Sequence, residues 1–225
     1  MSSAWNIKEL RDYIIADCPK DAELMVEIAN SLGRSRHIYD YHKCLARDAF
    51  AAFDVKNDPS GVEFAKHAFG CVEDEDILWR AGIESEANLI ACIGITRNSF
   101  DSFGQLVNGL VVPTPCKGNF YIHQVINALP IGQLKDQLNS AVSSHWFEYI
   151  NAFMNTVKHR QLITHNASFS FIDENRGGKI RGFDHKGKHH PACWVREVLE
   201  GTVELQSSLV SCGRSLNRLY LTDAA

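Results

Sequence analysis

"KHRQLITHNASFSF", residues 158–171, is where the chain changes its periodicity. On its N-terminal side, "HWFEYINAFMNTVKHRQLI" spaces Trp146/Phe147, Ile150, Phe153/Met154 and Val157 as one face of an amphipathic helix. Glu148, Asn151, Asn155 and Lys158/His159 fall on the opposite side. Beyond it, "SFSFID-ENRGG-KIRGF" alternates like a two-stranded hairpin, with Gly177–Gly178 as the expected turn. The stretch therefore predicts a helix that closes near Arg160 and a hairpin at about 166–184, inserted before the last helix.

The rest of the chain reads as helix. "AELMVEIANSLGRSRHIYDYHKCLARDAFAAF" keeps the helical spacing through the first 55 residues or so, interrupted only by Gly33. Pro59 and Gly61 break it. A short helix is expected from about Val62 to Cys71, and a long apolar one from about Asp76 to Val112. Arg97, Asp101, Gln105 and Asn108 share one face of that helix. They form either an exposed face with an Arg97–Asp101 pair or the lining of a cleft. Shorter helices are expected at about 119–128 and 131–142, and Ser143 or Ser144 can cap the next one. "DHKGKHHP" reads as loop, and Pro191 as the first position of a final helix from about Ala192 to Tyr220. No internal repeat or linker divides the 225 residues. The expected fold is a mainly α helical bundle in a single domain, 1–225, with a small β-hairpin insert.

No run of about 18 apolar residues is present, so no membrane span is expected. The opening "MSSAWNIKELRDY" has neither the basic nor the apolar region of a signal peptide. Seven scattered cysteines without a C-x-x-C fit a reduced, cytoplasmic setting. The formal net charge is −4, but the charges are segregated. Residues 73–86 hold six acids against Arg80, whereas 158–196 hold eight Lys/Arg against three acids, with half of the histidines. Such a local excess either attracts polyanions or forms a solvated basic hairpin.

No phosphate-binding glycine loop, dinucleotide fingerprint, nucleophile elbow or H-E-x-x-H is present. His185, His189, His190 and Cys193 fall within nine residues, a zinc-like donor set. Two interleaved lysines oppose a cation, so neither a metal nor another cofactor is expected. Arg160 and His165 are a different case. Cleaving RNA without a metal needs an imidazole to move the 2′-hydroxyl proton and a fixed cation on the phosphate. Arginine suits the second task because its fork binds two phosphate oxygens. Arg36–His42 has a similar spacing, and two such pairs are about what chance supplies.

"EYINAFMNTVKHRQLITH" resembles a stretch of HEPN-like helical proteins, in which an asparagine and a "KHR"-like triplet end a core helix near an Arg-x4-6-His motif. "EANLIACIGITRNSFDSFGQLVNGLV" is similar to the long helix of some of them. Together the two stretches cover about 45 residues. The resemblance implies a bundle, often a homodimer, and a metal-independent endoribonuclease of a toxin–antitoxin or phage-defence system. Arg160 would then hold the scissile phosphate, and His165 would be the general acid/base. Asn155, Lys158, His159, Lys179 and Arg181 would support the site or contact nucleic acid. An antitoxin or activator protein would be a further partner. The alternative it implies is a noncatalytic module that binds a nucleotide, RNA or a protein. Two departures are visible: Gln161 follows the arginine, and the motif closes a helix rather than opening one.

Overall fold

The computed structural model describes residues 4–17, 19–71, 76–170 and 175–222. Its helices are α1 (Ile7–Asp17), α2 (Ala22–Asp48), α3 (Val62–Ala68), α4 (Asp76–Leu110), α5 (Ile122–Ala128), α6 (Gln133–Val142), α7 (His145–His159) and α8 (Val195–Thr222). Its strands are β1 (His165–Ser170), β2 (Asn175–Ile180), β3 (Phe183–His185), β4 (Lys188–His190) and β5 (Cys193–Trp194). The fold is mainly α, as its periodicities predict. Glu73, Asp74 and Glu75 of the acidic run, Asp173 and Glu174 of the hairpin, and Cys18 lie outside the described residues. No described helix is long and apolar enough to cross a membrane.

The chain divides into two compact units, and α2, α4, α7 and α8 contribute a segment to each. The first comprises residues 1–38, 95–148 and 203–225. Leu10 and Ile14 of α1, Phe100, Phe103, Leu106 and Val107 of α4, and Leu209, Cys212 and Leu216 of α8 are buried in it. Trp5 stacks edge-on against Phe103 and donates its indole N–H to Asn217 at 2.8 Å. A Cβ on Gly213 would overlap the Trp5 ring, so this glycine is the seat of the indole. The polar face of α4 splits here rather than lining one cleft. Arg97 pairs with Asp101 at 2.6 Å and lies over the Phe147 ring. Gln105 is exposed. Buried Asn108 bonds both backbone groups of Cys116, which pins the loop after α4. Ser144 caps α7 by accepting the Phe147 N–H at 3.2 Å.

The second unit comprises residues 39–94 and 149–202. Its core takes Tyr39 from α2, Leu89, Cys92 and Ile93 from α4, Tyr149, Ile150 and Phe153 from α7, and Val198 from α8. Much of the apolar character of α4 is thus buried inside one unit or the other. The β-structure departs from expectation in three ways. First, Ser170 pairs with Asn175, so Gly177 and Gly178 lie inside β2, opposite Ser168 and Ala167, rather than in the turn. Second, "DHKGKHHP" is not loop. It folds as the β3–β4 hairpin around Lys186–Gly187, whose φ values of 49° and 79° make a type I′ turn. Third, Cys193–Trp194 is β5, paired to β2, and α8 begins at Val195 instead of Ala192. The Trp194 N–H is taken by the Glu197 carboxylate at 2.7 Å, one half of a capping box. β3 and β4 close over the core through Phe183 and His190, cross-strand partners stacked at 4.9 Å.

Candidate functional site

The residues expected to act together are placed apart in their environments. α7 ends at His159, and Arg160 follows it with an exposed side chain, as do Lys158 and His159 within the last turn. Arg160 lies close enough to His185 for its charge to depress that imidazole, after burial and together with Lys186. His165, the first residue of β1, turns inward instead. Its Nε2 shares a hydrogen bond of 3.1 Å with the hydroxyl of Ser85 on α4, a fully buried side chain. Its Nδ1 is buried without a partner among the described residues. Burial pushes the His165 pKa down to about 4.

The pairing register explains the inward turn. His165 pairs with Ile180, so Gly178 is its diagonal neighbour on the same face. A Cβ at 178 would stand 2.6 Å from His165 Nε2 and 2.8 Å from both Ser85 Oγ and Val195 Cγ2. Only the missing side chain lets the three approach. An imidazole held neutral near pH 7 is a poor general acid, because the efficient catalyst has a pKa near the working pH.

The supporting residues are dispersed. Asn155 donates to the Asn151 carbonyl at 2.8 Å, within its own helix. The Lys179 ammonium lies 4.8 Å from the centre of the Trp194 ring, a cation–π contact. Arg181 is exposed, and its backbone N–H donates to Thr164 at 2.8 Å. In the His/Cys cluster, His189 bonds Asp184, His190 stacks in the core and the buried Cys193 thiol donates to the Pro191 carbonyl. Among the described residues no three His, Cys, Asp or Glu side chains gather as metal ligands.

Two features escaped the sequence. Asp58 and Arg176, 118 positions apart, form a buried pair at 3.5 Å. Burial opposes the Asp58 charge, yet the Phe64 and Glu63 N–H groups and Arg176 hold its pKa below the usual carboxylate value. Beside this pair is a cavity of about 410 Å³. The end of α2, the turn at Phe50–Asp54, Arg176–Gly178 of β2 and the start of α8 enclose it. The adjacency of Arg176 to the glycine pair within β2 is the sequence signal that points toward them.

No family model, curated protein or solved structure matches the chain.

Proposed function

We propose that the chain is a noncatalytic, HEPN-like module that binds RNA through its phosphates, the second of the two roles the resemblance implies. The observation that carries this reading is the division within "KHRQLITH": Lys158 and Arg160 face water, while His165 is held neutral against Ser85. Lys158, Arg160, Arg181, Lys186 and Lys188 are all exposed in the second unit, and a phosphate backbone needs fixed cations rather than a proton shuttle. The ribonuclease reading asks His165 to leave its bond with Ser85 and regain its basicity. A homodimer belongs to the proposal as an expectation of the resemblance, and sedimentation at micromolar concentration tests it.

The experiment is fluorescence anisotropy with a labelled single-stranded RNA across a salt series. Binding should weaken linearly in log salt, and Lys158→Ala and Arg160→Ala should each reduce the slope by about one phosphate contact, roughly 0.7 for a single strand. Binding that ignores both substitutions would remove this surface from the account.

A further inference from the structure

Gly33 interrupts α2 with no steric demand behind it. The other helical glycines of the first unit each seat a neighbour. A Cβ on Gly104 would stand 2.8 Å from Ile122 Cδ1, and one on Gly109 or Gly213 would overlap Met25 or Trp5. A Cβ on Gly33 meets only Ile7 Cδ1, at 3.5 Å, an ordinary contact. Glycine is a poor helix former, so its place in the middle of α2 calls for another cause. What the missing side chain leaves open is a cavity of about 580 Å³. All of its lining residues belong to the first unit.

The wall is mostly apolar, with Trp5, Ile7, Leu32, Leu209 and Val210 on it and no carboxylate. A cation would find no counter-charge there. Both serines on the wall spend their hydroxyl protons within their own helices, Ser99 on Ile95 at 2.8 Å and Ser207 on Val203 at 2.9 Å. Gln206 is the exception. Its side chain is buried, and its Nε2 donates to the Thr96 hydroxyl at 3.2 Å. Its Oε1 takes no bond among the described residues and is not sealed from solvent. A buried amide oxygen without a donor is costly, and one such acceptor in an apolar chamber is how small-molecule sites fix orientation. Gly213, on which the Trp5 ring sits, lies seven residues further along α8, about 10 Å away. A body of one or two fused rings spans that interval. The hydroxyls and phosphate oxygens of a nucleotide would be stranded against such a wall.

We infer that this cavity binds a small neutral ring compound carrying a single N–H or O–H donor, of the indole or phenol class. The donor meets Gln206 Oε1 and the ring lies toward Trp5. The site stands whether or not the outer basic surface binds RNA.

The test titrates the isotope-labelled full chain with indole and with benzofuran, the same ring system with an oxygen in place of the N–H. The reporter is the NMR signal of the Trp5 indole N–H, which is bonded to Asn217 at the cavity wall. Indole should shift it saturably, with a Kd below about 1 mM. Benzofuran should bind about tenfold more weakly, because it leaves the Gln206 oxygen without a donor. Gln206→Met should bring the two to within about twofold. Gly33→Leu grows a side chain into the cavity beside Ile7. It should abolish the indole shift with the melting temperature at or above that of wild type. Adenosine 5′-monophosphate should not displace indole. The inference is overturned by the absence of a saturable indole shift, by equal binding of the two heterocycles to wild type, or by indole binding that survives Gly33→Leu. Displacement of indole by the nucleotide would overturn the assigned ligand class.

Discussion

The two hairpins of the second unit are built from similar residues and held by different physics. Both contain glycine, and both have a side chain bonded to an Asp. In β3–β4 the glycine makes the turn, and the pair, Asp184–His189 at 2.9 Å, is in water with side chains 76% and 67% exposed. In β1–β2 the glycines lie within a strand, and Arg176 reaches Asp58 in the interior, where the two side chains are 8% and 3% exposed. A hairpin closed by its own turn is locally determined. One that leans on Asp58, Ser85 and Val195 is determined by residues far away in sequence. That dependence is what draws His165 inward and opens a cavity beside Arg176.

Breaking the two Asp contacts gives the widest separation. Asp58→Ala leaves a buried arginine without its counter-charge and removes the acceptor for the Glu63 and Phe64 N–H groups. It should cost about 3–5 kcal/mol. Asp184→Ala should stay within about 0.5 kcal/mol, as exposed pairs do. Urea denaturation of both variants checks the difference; equal losses would erase the distinction between the hairpins.

The glycines sharpen it next. Gly178→Ala should lose about 2–3 kcal/mol through overpacking against His165, Ser85 and Val195. Gly187→Ala meets open space but keeps φ at +79°, so about 1 kcal/mol of strain is expected. Thermal melts should rank them in that order.

A pH-dependent effect, set by His165, separates them along another axis. Its folded pKa of about 4 lies below the ordinary imidazole value of 6.5, so the unfolded chain binds the proton more readily between the two. The stability associated with the neutral imidazole is complete above pH 6.5. It is lost as pH falls toward 4, by about 2 kcal/mol once partial exposure is allowed for. His165→Gln should flatten that part of the stability curve. An unchanged curve would mean the imidazole is not held neutral.

The helices were legible because each segregates its own apolar residues: α3 to α7 begin and end within a few residues of their periodic stretches, and Ser144 caps α7 as its position suggests. The small strands were not. "HKGKHH" has no β-branched residue and pairs through a turn plus the Phe183–His190 stack. β5 is two residues long and exists only because β2 is beside it. Gly177–Gly178 looks like a turn in isolation, but what requires Gly178 is the closeness of Ser85, Val195 and His165. The site suffered for the same reason. Arg160 could be singled out from its neighbours, but the direction of His165 is set by a strand register, and Asp58 is paired across 118 positions.

One measurement bears most directly on a module that holds RNA without cutting it. A 5′-labelled single-stranded RNA is incubated with excess protein and chelator at pH 7, then split between a native gel and mass spectrometry. The account predicts a retarded complex from which full-length RNA is recovered, for wild type and His165→Gln alike. Shortened RNA with 2′,3′-cyclic phosphate ends, made by wild type and lost in His165→Gln, would contradict it.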